Sequence, residues 1–404
     1  MPADKEFKTV YDQIRLLKKR KLKINNLNES KKHLIEKNYF NLINGFETLL
    51  LEDAKNPPKE YFEKSFNDFV KLYDFDLDFS TILFKKISEF ETKLKTTIAY
   101  NFCKNHCTTL ADNDAYIDIK NYSIPKITEG PKEYVSFFYN QRKPRNSHRL
   151  FRNDYYFEGN FRGNFTGKVE YLGGKTKLTG NFNGRFGSTS IREVKGSLSF
   201  LNSKQSNLFS SLQSLQPSSG GSITAFQINV SEERIYGLSY IDDCKIKYPY
   251  INEYNNPPFW VVIRTLMFND LIILLYGLKK RTFEAVLKEF GLKPQDREKF
   301  LNSLEIIKEL RNTCAHFELV NRFRTSQRLK INAHLISELK LQPMRSQYVI
   351  KLYDVLKVLN LYIDLSDVKI FLLEYWYKVE EADNTDIATS LLDRMGNDKI
   401  ENWI

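Results

Sequence analysis

The sequence predicts a mainly α-helical fold, a helical bundle that carries an inserted antiparallel β-sheet. Two observations predict it. Apolar residues recur at helical spacing in both halves of the chain, whereas residues 155–201 alternate apolar and polar positions with a period of two. Hydrophobic residues make up 42% of the 404 residues, so the chain can build a sizeable core, which excludes a disordered protein.

The first predicted region is helical and covers residues 1–140. An opening helical segment ends near Gly45, and Pro57-Pro58 marks a break before the second segment. The second segment has the longer apolar repeat at helical spacing, formed by Leu83, Ile87, Phe90, Leu94 and Ile98.

The second predicted region, residues 141–222, contains the sheet and a linker. Odd positions from Tyr155 to Tyr171 are apolar or glycine, and the even positions between them are polar, which is typical of a strand with one buried face. Gly173-Gly174 predicts a hairpin turn, after which the parity inverts, and residues 194–200 form a third strand. Residues 202–222 are rich in Ser, Gln and Gly and predict a loose linker.

The third predicted region, residues 223–404, is helical again. Helical periodicity covers residues 259–278, 283–290, 296–317 and 348–378, and the acidic tail from Glu380 is expected to fray or to lie on the surface. The most apolar run, 259–278, contains Arg264 and Asp270, which favours a buried helix over a membrane span. The start of the chain is polar, so we expect a soluble, cytoplasmic protein without a membrane partner.

The charge of the chain favours polyanionic partners, nucleic acid before anionic membrane. Lys and Arg number 61 against 50 Asp and Glu, a net charge of +11. Residues 141–200 contain 12 basic and 4 acidic residues. We predict phosphate contacts there, and the alternative is a solvated sheet face. The candidate RNA-binding residues of this region are Arg142, Lys143, Arg145, Arg149, Arg152, Arg162 and Lys168.

Residues 311–316, which read R-N-T-C-A-H, form the one segment that indicates chemistry. On an ideal helix, Leu304, Ile307, Leu310, Cys314 and Phe317 form an apolar stripe, and Glu305, Glu309, Asn312 and His316 a polar one. Arg311 and His316 then lie about 140° apart, too far to grip one phosphate. Either the helix is broken at the motif or two copies of the chain contribute to one site. Taken alone, the spacing also fits an Arg and a His without a catalytic role.

The motif resembles the R-N-x-x-x-H motif of HEPN ribonucleases, in the form that the Abi-like proteins (the AbiD/AbiF abortive-infection group) carry. Asn321-Arg322 after the motif, Tyr39-Phe40-Asn41 near the N-terminus and Pro258-Phe259-Trp260 are similar to that group as well. The likeness covers about residues 10–110 and 255–325. The sheet is not part of it, and Phe317 stands where the family often has a second His.

This resemblance implies a HEPN-type helical bundle that dimerises and cuts RNA without a metal or other cofactor. His316 would be the general acid or base, Arg311 would bind the phosphoryl oxygens, and Asn312 would orient His316 or the phosphate. The resemblance further implies a toxin of an abortive-infection or toxin–antitoxin system, with Arg322 among the RNA-binding residues. It is expected to be held inactive by a small structured noncoding RNA, or else by a protein antitoxin.

Two alternatives accompany this prediction. The first is a non-catalytic RNA-binding HEPN module that acts as a scaffold or sensor. The second concerns Cys103, His106 and Cys107, which could begin a metal site; no second ligand pair follows at zinc spacing, so none is predicted. The four cysteines are too few for a disulfide framework at this length.

Overall fold

The computed structural model of the chain describes residues 6–123, 147–203, 221–229, 234–343, 349–382 and 384–404. The chain forms two compact units. The first contains Met1–Glu91 and Gln295–Ile404, and the second contains Thr92–Pro294. These divisions differ from the predicted boundaries after residues 140 and 222, since the first unit joins the two ends of the chain.

The described part of the chain is mainly α-helical, as predicted. Its α-helices are α1 (Val10–Lys19), α2 (Leu27–Glu36), α3 (Glu47–Leu50), α4 (Phe66–His106), α5 (Tyr240–Lys247), α6 (Pro249–Asn252), α7 (Phe259–Val262), α8 (Phe268–Gly277), α9 (Lys280–Glu289), α10 (Arg297–Ala315), α11 (Ala333–Leu339), α12 (Leu352–Asn360), α13 (Ser366–Glu381) and α14 (Thr385–Met395). A π-helical turn, Phe40–Asn44, follows α2, and short 3-10 turns occur between the later helices.

The long apolar repeat of the N-terminal region forms one helix of 41 residues, α4. Leu83, Ile87 and Phe90 of this helix are buried, which confirms the predicted spacing. The segment predicted over 348–378 is instead two helices, α12 and α13. The segment predicted over 259–278 is interrupted by a 3-10 turn, Ile263–Thr265, between α7 and α8.

The acidic tail does not lie wholly on the surface, so that prediction was wrong. Residues from Thr385 form α14, an amphipathic helix whose apolar face is buried in the first unit. The buried residues recur at helical spacing and are Ala388, Leu391, Leu392 and Met395. The acidic composition of this segment predicts an exposed tail, whereas the helical spacing of its few apolar residues is what places them in the core.

The second unit contains an antiparallel six-stranded sheet in the order β1-β6-β4-β3-β2-β5. Its strands are β1 (Tyr155–Phe157), β2 (Asn160–Leu172), β3 (Lys175–Phe186), β4 (Thr189–Leu201), β5 (Gly221–Asn229) and β6 (Ile235–Leu238). The hairpin at Gly173-Gly174 is confirmed. The last two strands were not predicted: β5 begins in the expected linker and β6 lies in the region expected to be helical.

One face of the sheet is a core of aromatic and glycine rows. Phe165 pairs with Phe182. The next row of this face, toward the β2–β3 hairpin, pairs Gly167 with Gly180 and Gly180 with Gly196. A Cβ atom on Gly180 would lie 2.3 Å from the Thr166 carbonyl oxygen, so only glycine permits this close approach of strands. The repeated G-N-F units of the sequence therefore place phenylalanine and glycine alternately on the buried face.

The described part of the chain contains no helix that is both long and apolar enough to cross a membrane. The most apolar helix, α8, is instead buried within the second unit. This outcome agrees with the predicted burial of residues 259–278.

Candidate active site at the end of helix α10

Helix α10 ends inside the R-N-x-x-x-H motif, before the end of the helical segment predicted over 296–317. Its last residue is Ala315, and His316 is the C-cap with φ −95° and ψ 6°. The His316 amide still donates to the Asn312 carbonyl oxygen at 3.0 Å. An ideal helical wheel therefore describes Arg311 and Asn312 but not the residues after His316. Phe317, placed on the apolar stripe by the wheel, is 71% exposed.

The helix end is closed by a Schellman motif with an unusual residue at its centre. The Glu318 amide donates to the Thr313 carbonyl at 3.1 Å, and the Phe317 amide donates to the Cys314 carbonyl at 3.2 Å. Phe317 has φ +54°, the left-handed region in which glycine is normally found. An exposed phenylalanine thus occupies a strained position directly beside the candidate catalytic histidine.

His316 lines a cleft of about 490 Å³ in the first unit, together with two arginines. The lining residues come from the π-helical turn and Gly45 after it, from the last turn of α10 and from the loop that follows; they are Phe40, Asn41, Gly45, Thr313, His316, Phe317, Glu318, Leu319, Arg322, Phe323 and Arg324. Gly45 allows this loop to approach, because a Cβ atom there would lie 2.5 Å from Leu319 Cδ1. The cleft therefore combines one imidazole, two guanidinium groups and two exposed aromatic rings, those of Phe40 and Phe317.

A third arginine, Arg394 of α14, lies beneath the two arginines of the cleft. It donates to the Gly45 carbonyl at 3.0 Å and to Asn321 Oδ1 at 3.2 Å. Burial, together with the neighbouring guanidinium groups of Arg322 and Arg324, lowers the pKa of Arg394 to about 10. Three positive charges are thus concentrated at one place, which is a favourable environment for an anion.

The loop after the motif is anchored by one buried carboxylate, that of Asp76 on α4. It accepts hydrogen bonds from the Val320 amide at 3.0 Å, from the Asn321 amide at 2.7 Å and from Asn321 Nδ2 at 2.7 Å. Burial raises the pKa of Asp76 to about 6, while these donors and Arg394 act to lower it. The side chains of Asp76 and Asn321 are almost fully buried, so they position the loop and do not contact solvent.

Arg311 lies on a different side of α10 and does not line the cleft. Its Nε lies 3.7 Å from Glu91 Oε2, and its guanidinium carbon lies 5.9 Å from the centre of the Phe84 ring, both on α4. The Arg311 side chain retains 30% exposure. Asn312 is exposed, and Cys314 is buried as predicted. One chain therefore brings His316 together with Arg322, and not with Arg311.

The predicted RNA-binding residues near the sheet fall into three groups. Arg142, Lys143 and Arg145 lie outside the described residues. Arg149 pairs with Asp270 at 3.2 Å and Arg152 with Asp154 at 2.8 Å, so these two arginines already have carboxylate partners. Arg162 and Lys168 are exposed on the polar face, and Lys168 contacts Glu170 at 2.8 Å. Arg162 faces Arg185 directly across β2 and β3.

The Cys103-x-x-His106-Cys107 cluster lies at the C-terminal end of α4, with both thiols in the reduced form. Burial raises the pKa of Cys103 to about 12. Within the residues that the structure describes, no group of three or more His, Cys, Asp or Glu side chains is placed to hold a metal ion.

Fold and site together define a mainly α-helical protein with a basic, histidine-containing cleft at the end of one helix. A family model described as Abi-like protein matches residues 32–169 and 185–320, more than half of the chain. The chain therefore belongs to the Abi-like family, and this membership suggests a role in abortive infection. No curated protein and no solved structure gave a significant match.

The family match corrects one expectation about the sheet. The sheet was expected to lie outside the likeness, yet both matched ranges extend into it and leave out residues 170–184. That gap contains the β2–β3 hairpin turn and most of β3. Most of the sheet is therefore part of the matched family region, although it lies in the chain between two helical segments.

We expect Phe317→Gly to raise the free energy of unfolding by about 1 kcal/mol, because glycine adopts a positive φ without the strain that a Cβ atom causes. Chemical denaturation of both proteins measures this. Glu318→Gly, one residue further along and outside the left-handed region, should not stabilise the protein. An unchanged or lower stability of Phe317→Gly would contradict the strain.

We expect Asp76 to make stability depend on pH in a defined direction. Its pKa in the folded protein lies above the usual 3.8, so the folded state binds this proton more tightly than the unfolded state does. The stabilisation that comes from proton binding at Asp76 is therefore present below about pH 4 and is lost as the pH rises through about 6. Relative to Asp76→Asn, the wild type should lose about 1–3 kcal/mol of unfolding free energy over this range. A difference that is flat with pH would contradict this assignment.

Proposed function

We propose that the protein is a metal-independent endoribonuclease of the HEPN type, acting as a toxin in abortive infection. The observation that carries this proposal is the position of His316, exposed at a helix end in a cleft that also contains Arg322 and Arg324. Titratable imidazole beside fixed guanidinium groups is the combination that RNA transesterification needs. Family membership supports the biological role and leaves the chemistry to be tested.

The proposed reaction uses the nucleophile that RNA itself carries. His316 takes the proton of the ribose 2′-hydroxyl, and the 2′-oxygen attacks the adjacent phosphorus. The bond from phosphorus to the 5′-oxygen breaks, and that oxygen takes a proton from solvent water, while His316 returns its own proton to solvent. The products are a 2′,3′-cyclic phosphate and a 5′-hydroxyl end, with no change in oxidation state. Arg322 and Arg324 stabilise the negative charge that grows on the phosphoryl oxygens.

We propose that Arg311 acts in a homodimer. Within one chain it contacts Glu91 and lies outside the His316 cleft. Its partly exposed side chain can reach a second copy of the chain across a two-fold axis, where each cleft would receive the Arg311 of the other copy. Asn312 is exposed on the turn of α10 before His316, where it would orient the imidazole or the phosphate.

An inhibitor is part of this proposal, since unrestrained RNA cleavage would kill the cell. We propose a small structured noncoding RNA as the antitoxin, bound through phosphate contacts on the polar face of the sheet. Arg162 and Arg185 are exposed there and face each other across two strands. Like charges directly opposite destabilise a sheet, and a phosphate between them would relieve the repulsion.

A second candidate function is a non-catalytic RNA-binding module. The contact between Arg311 and Glu91 favours this non-catalytic module, because an arginine that pairs with a carboxylate of its own chain can serve to stabilise the fold. The two candidates differ in one result: a scaffold binds RNA without producing cyclic phosphate ends.

We expect His316→Ala to lower the rate of RNA cleavage by about 10²- to 10⁴-fold, the usual contribution of one acid or base group. The measurement uses purified protein in EDTA with an end-labelled RNA, and the product ends are identified as cyclic phosphates. His334→Ala is the matched control, since His334 is exposed on α11 outside the cleft. Full activity of a folded His316→Ala protein would refute the catalytic role, and loss of activity in EDTA with rescue by magnesium would indicate a metal mechanism.

We expect Arg311→Ala and His316→Ala to complement each other in one dimer. A heterodimer isolated through two different tags contains one intact site and one doubly altered site, so it should have about half of the wild-type activity. A heterodimer of His316→Ala and His316→Asn is the control and should be inactive. An inactive mixed dimer, or a fully active monomer, would rule out a site shared between two copies.

A further inference from the structure

A second cleft, larger than the one at His316, lies in the second unit. It has a volume of about 1200 Å³. One wall is the last turns of α4, where Thr96, Tyr100 and Lys104 follow one another at a spacing of four and so share a face. The opposite wall is formed by Trp260 of α7 and Arg264 of the following 3-10 turn. The proposed ribonuclease mechanism makes no use of this cleft, which is called the Trp260 cleft below.

The charged side chains that line the Trp260 cleft are all positive, and one carboxylate, that of Asp112, lies behind Thr108 and Thr109 of its lining. Lys95, Lys104 and Arg264 line it, and its other lining side chains are uncharged. Lys104 Nζ lies 5.9 Å from the centre of the Tyr100 ring, and the Arg264 guanidinium carbon lies 5.7 Å from that of Tyr250. Among the described residues, neither Lys104 nor Arg264 forms an ion pair. Their charges are therefore available to an anionic ligand.

Two large aromatic rings are exposed between these cations. Trp260 is 55% exposed and Tyr100 is 59% exposed. Their faces offer stacking platforms, and the Asn113 side chain of the same cleft offers an amide group for hydrogen bonds. Aromatic platforms inside a positively charged groove are the combination that binds single-stranded nucleic acid, because every base has a π-face and every nucleotide a phosphate.

We infer that the Trp260 cleft is a binding site for single-stranded RNA, with Trp260 and Tyr100 stacking on unpaired bases and Lys104 and Arg264 contacting phosphates. Paired bases in a duplex cannot expose their faces to these rings, so the site selects unpaired segments. A protein partner would also cover exposed aromatic rings, but the one-sided charge favours a polyanion. This inference goes beyond the proposed function, since binding here needs no cleavage at His316.

The test measures binding of a fluorescent 2′-O-methyl oligouridine of about 12 nucleotides, a length within the range that single-strand sites cover. This probe cannot be cleaved because it lacks a free 2′-hydroxyl group. Binding and cleavage are thereby separated: a protein that cleaves no RNA but binds this probe through Trp260 refutes the ribonuclease and retains the inference.

Trp260→Ala should weaken binding roughly 5- to 150-fold, the loss of one stacked base, whereas Trp260→Phe should retain most of the affinity. Lys104→Ala and Arg264→Ala should each lower the slope of log affinity against log salt by about 0.7. Tyr377→Ala and Lys288→Ala are the matched controls, an exposed aromatic ring and an exposed cation outside the cleft, and should bind as the wild type does.

Three results would overturn the inference. The first is an unchanged affinity of Trp260→Ala and of the double variant Lys104→Ala/Arg264→Ala, each folded by circular dichroism. The second is equal binding of a duplex of the same length with the same sensitivity to Trp260→Ala. The third is an unchanged RNA affinity together with a lower solution mass of Trp260→Ala, which would assign the cleft to contact with a second copy of the chain.

Discussion

The candidate active site depends on one buried carboxylate, that of Asp76. It receives three hydrogen bonds from Val320 and Asn321, and Asn321 in turn accepts from Arg394, which also donates to Gly45. This single network joins α4, the loop after α10, helix α14 and the π-helical turn. Each buried N–H group left without Asp76 would cost about 1–3 kcal/mol. The cleft around His316 therefore exists because polar bonds, and not apolar packing alone, hold its four chain segments together.

The sequence predicted what periodicity can reveal and missed what long-range polar contacts decide. The spacing of Leu83, Ile87 and Phe90 predicted α4, and the alternation from residue 155 predicted two strands with the correct faces. Asp76 bonds to a residue 245 positions away, and no local pattern marks such a partner. Arg394 has no local pattern that marks it either, since it lies in an acidic tail and bonds to Gly45 and Asn321 far away in the sequence. Such sites need a structure, since their residues meet only after the chain has folded.

The sequence predicted Arg311 and His316 on different sides of α10, and the structure agrees: His316 lines the cleft with Arg322, whereas Arg311 lies beside Glu91. Helix α10 ends at Ala315, and the left-handed backbone of Phe317 turns the chain that follows, which brings Arg322 to the same cleft. This turn has a cost in strain that glycine would avoid. Strain retained beside a titratable side chain is typical of functional sites, where orientation matters more than stability. The strain therefore supports the assignment of the helix end as the reactive part of the molecule.

The two faces of the sheet differ in composition: one is apolar and buried, and the other is polar and basic. On the buried face, phenylalanine and glycine alternate so that neighbouring strands approach closely and the aromatic side chains cover the glycines. Apolar packing alone therefore holds this face of the sheet. On the polar face, Arg162 lies directly opposite Arg185, a pairing that lowers sheet stability. Stability alone does not favour this pair, and a bound polyanion would make it favourable. The proposed RNA partner thus accounts for a feature of the sheet that its packing leaves unexplained.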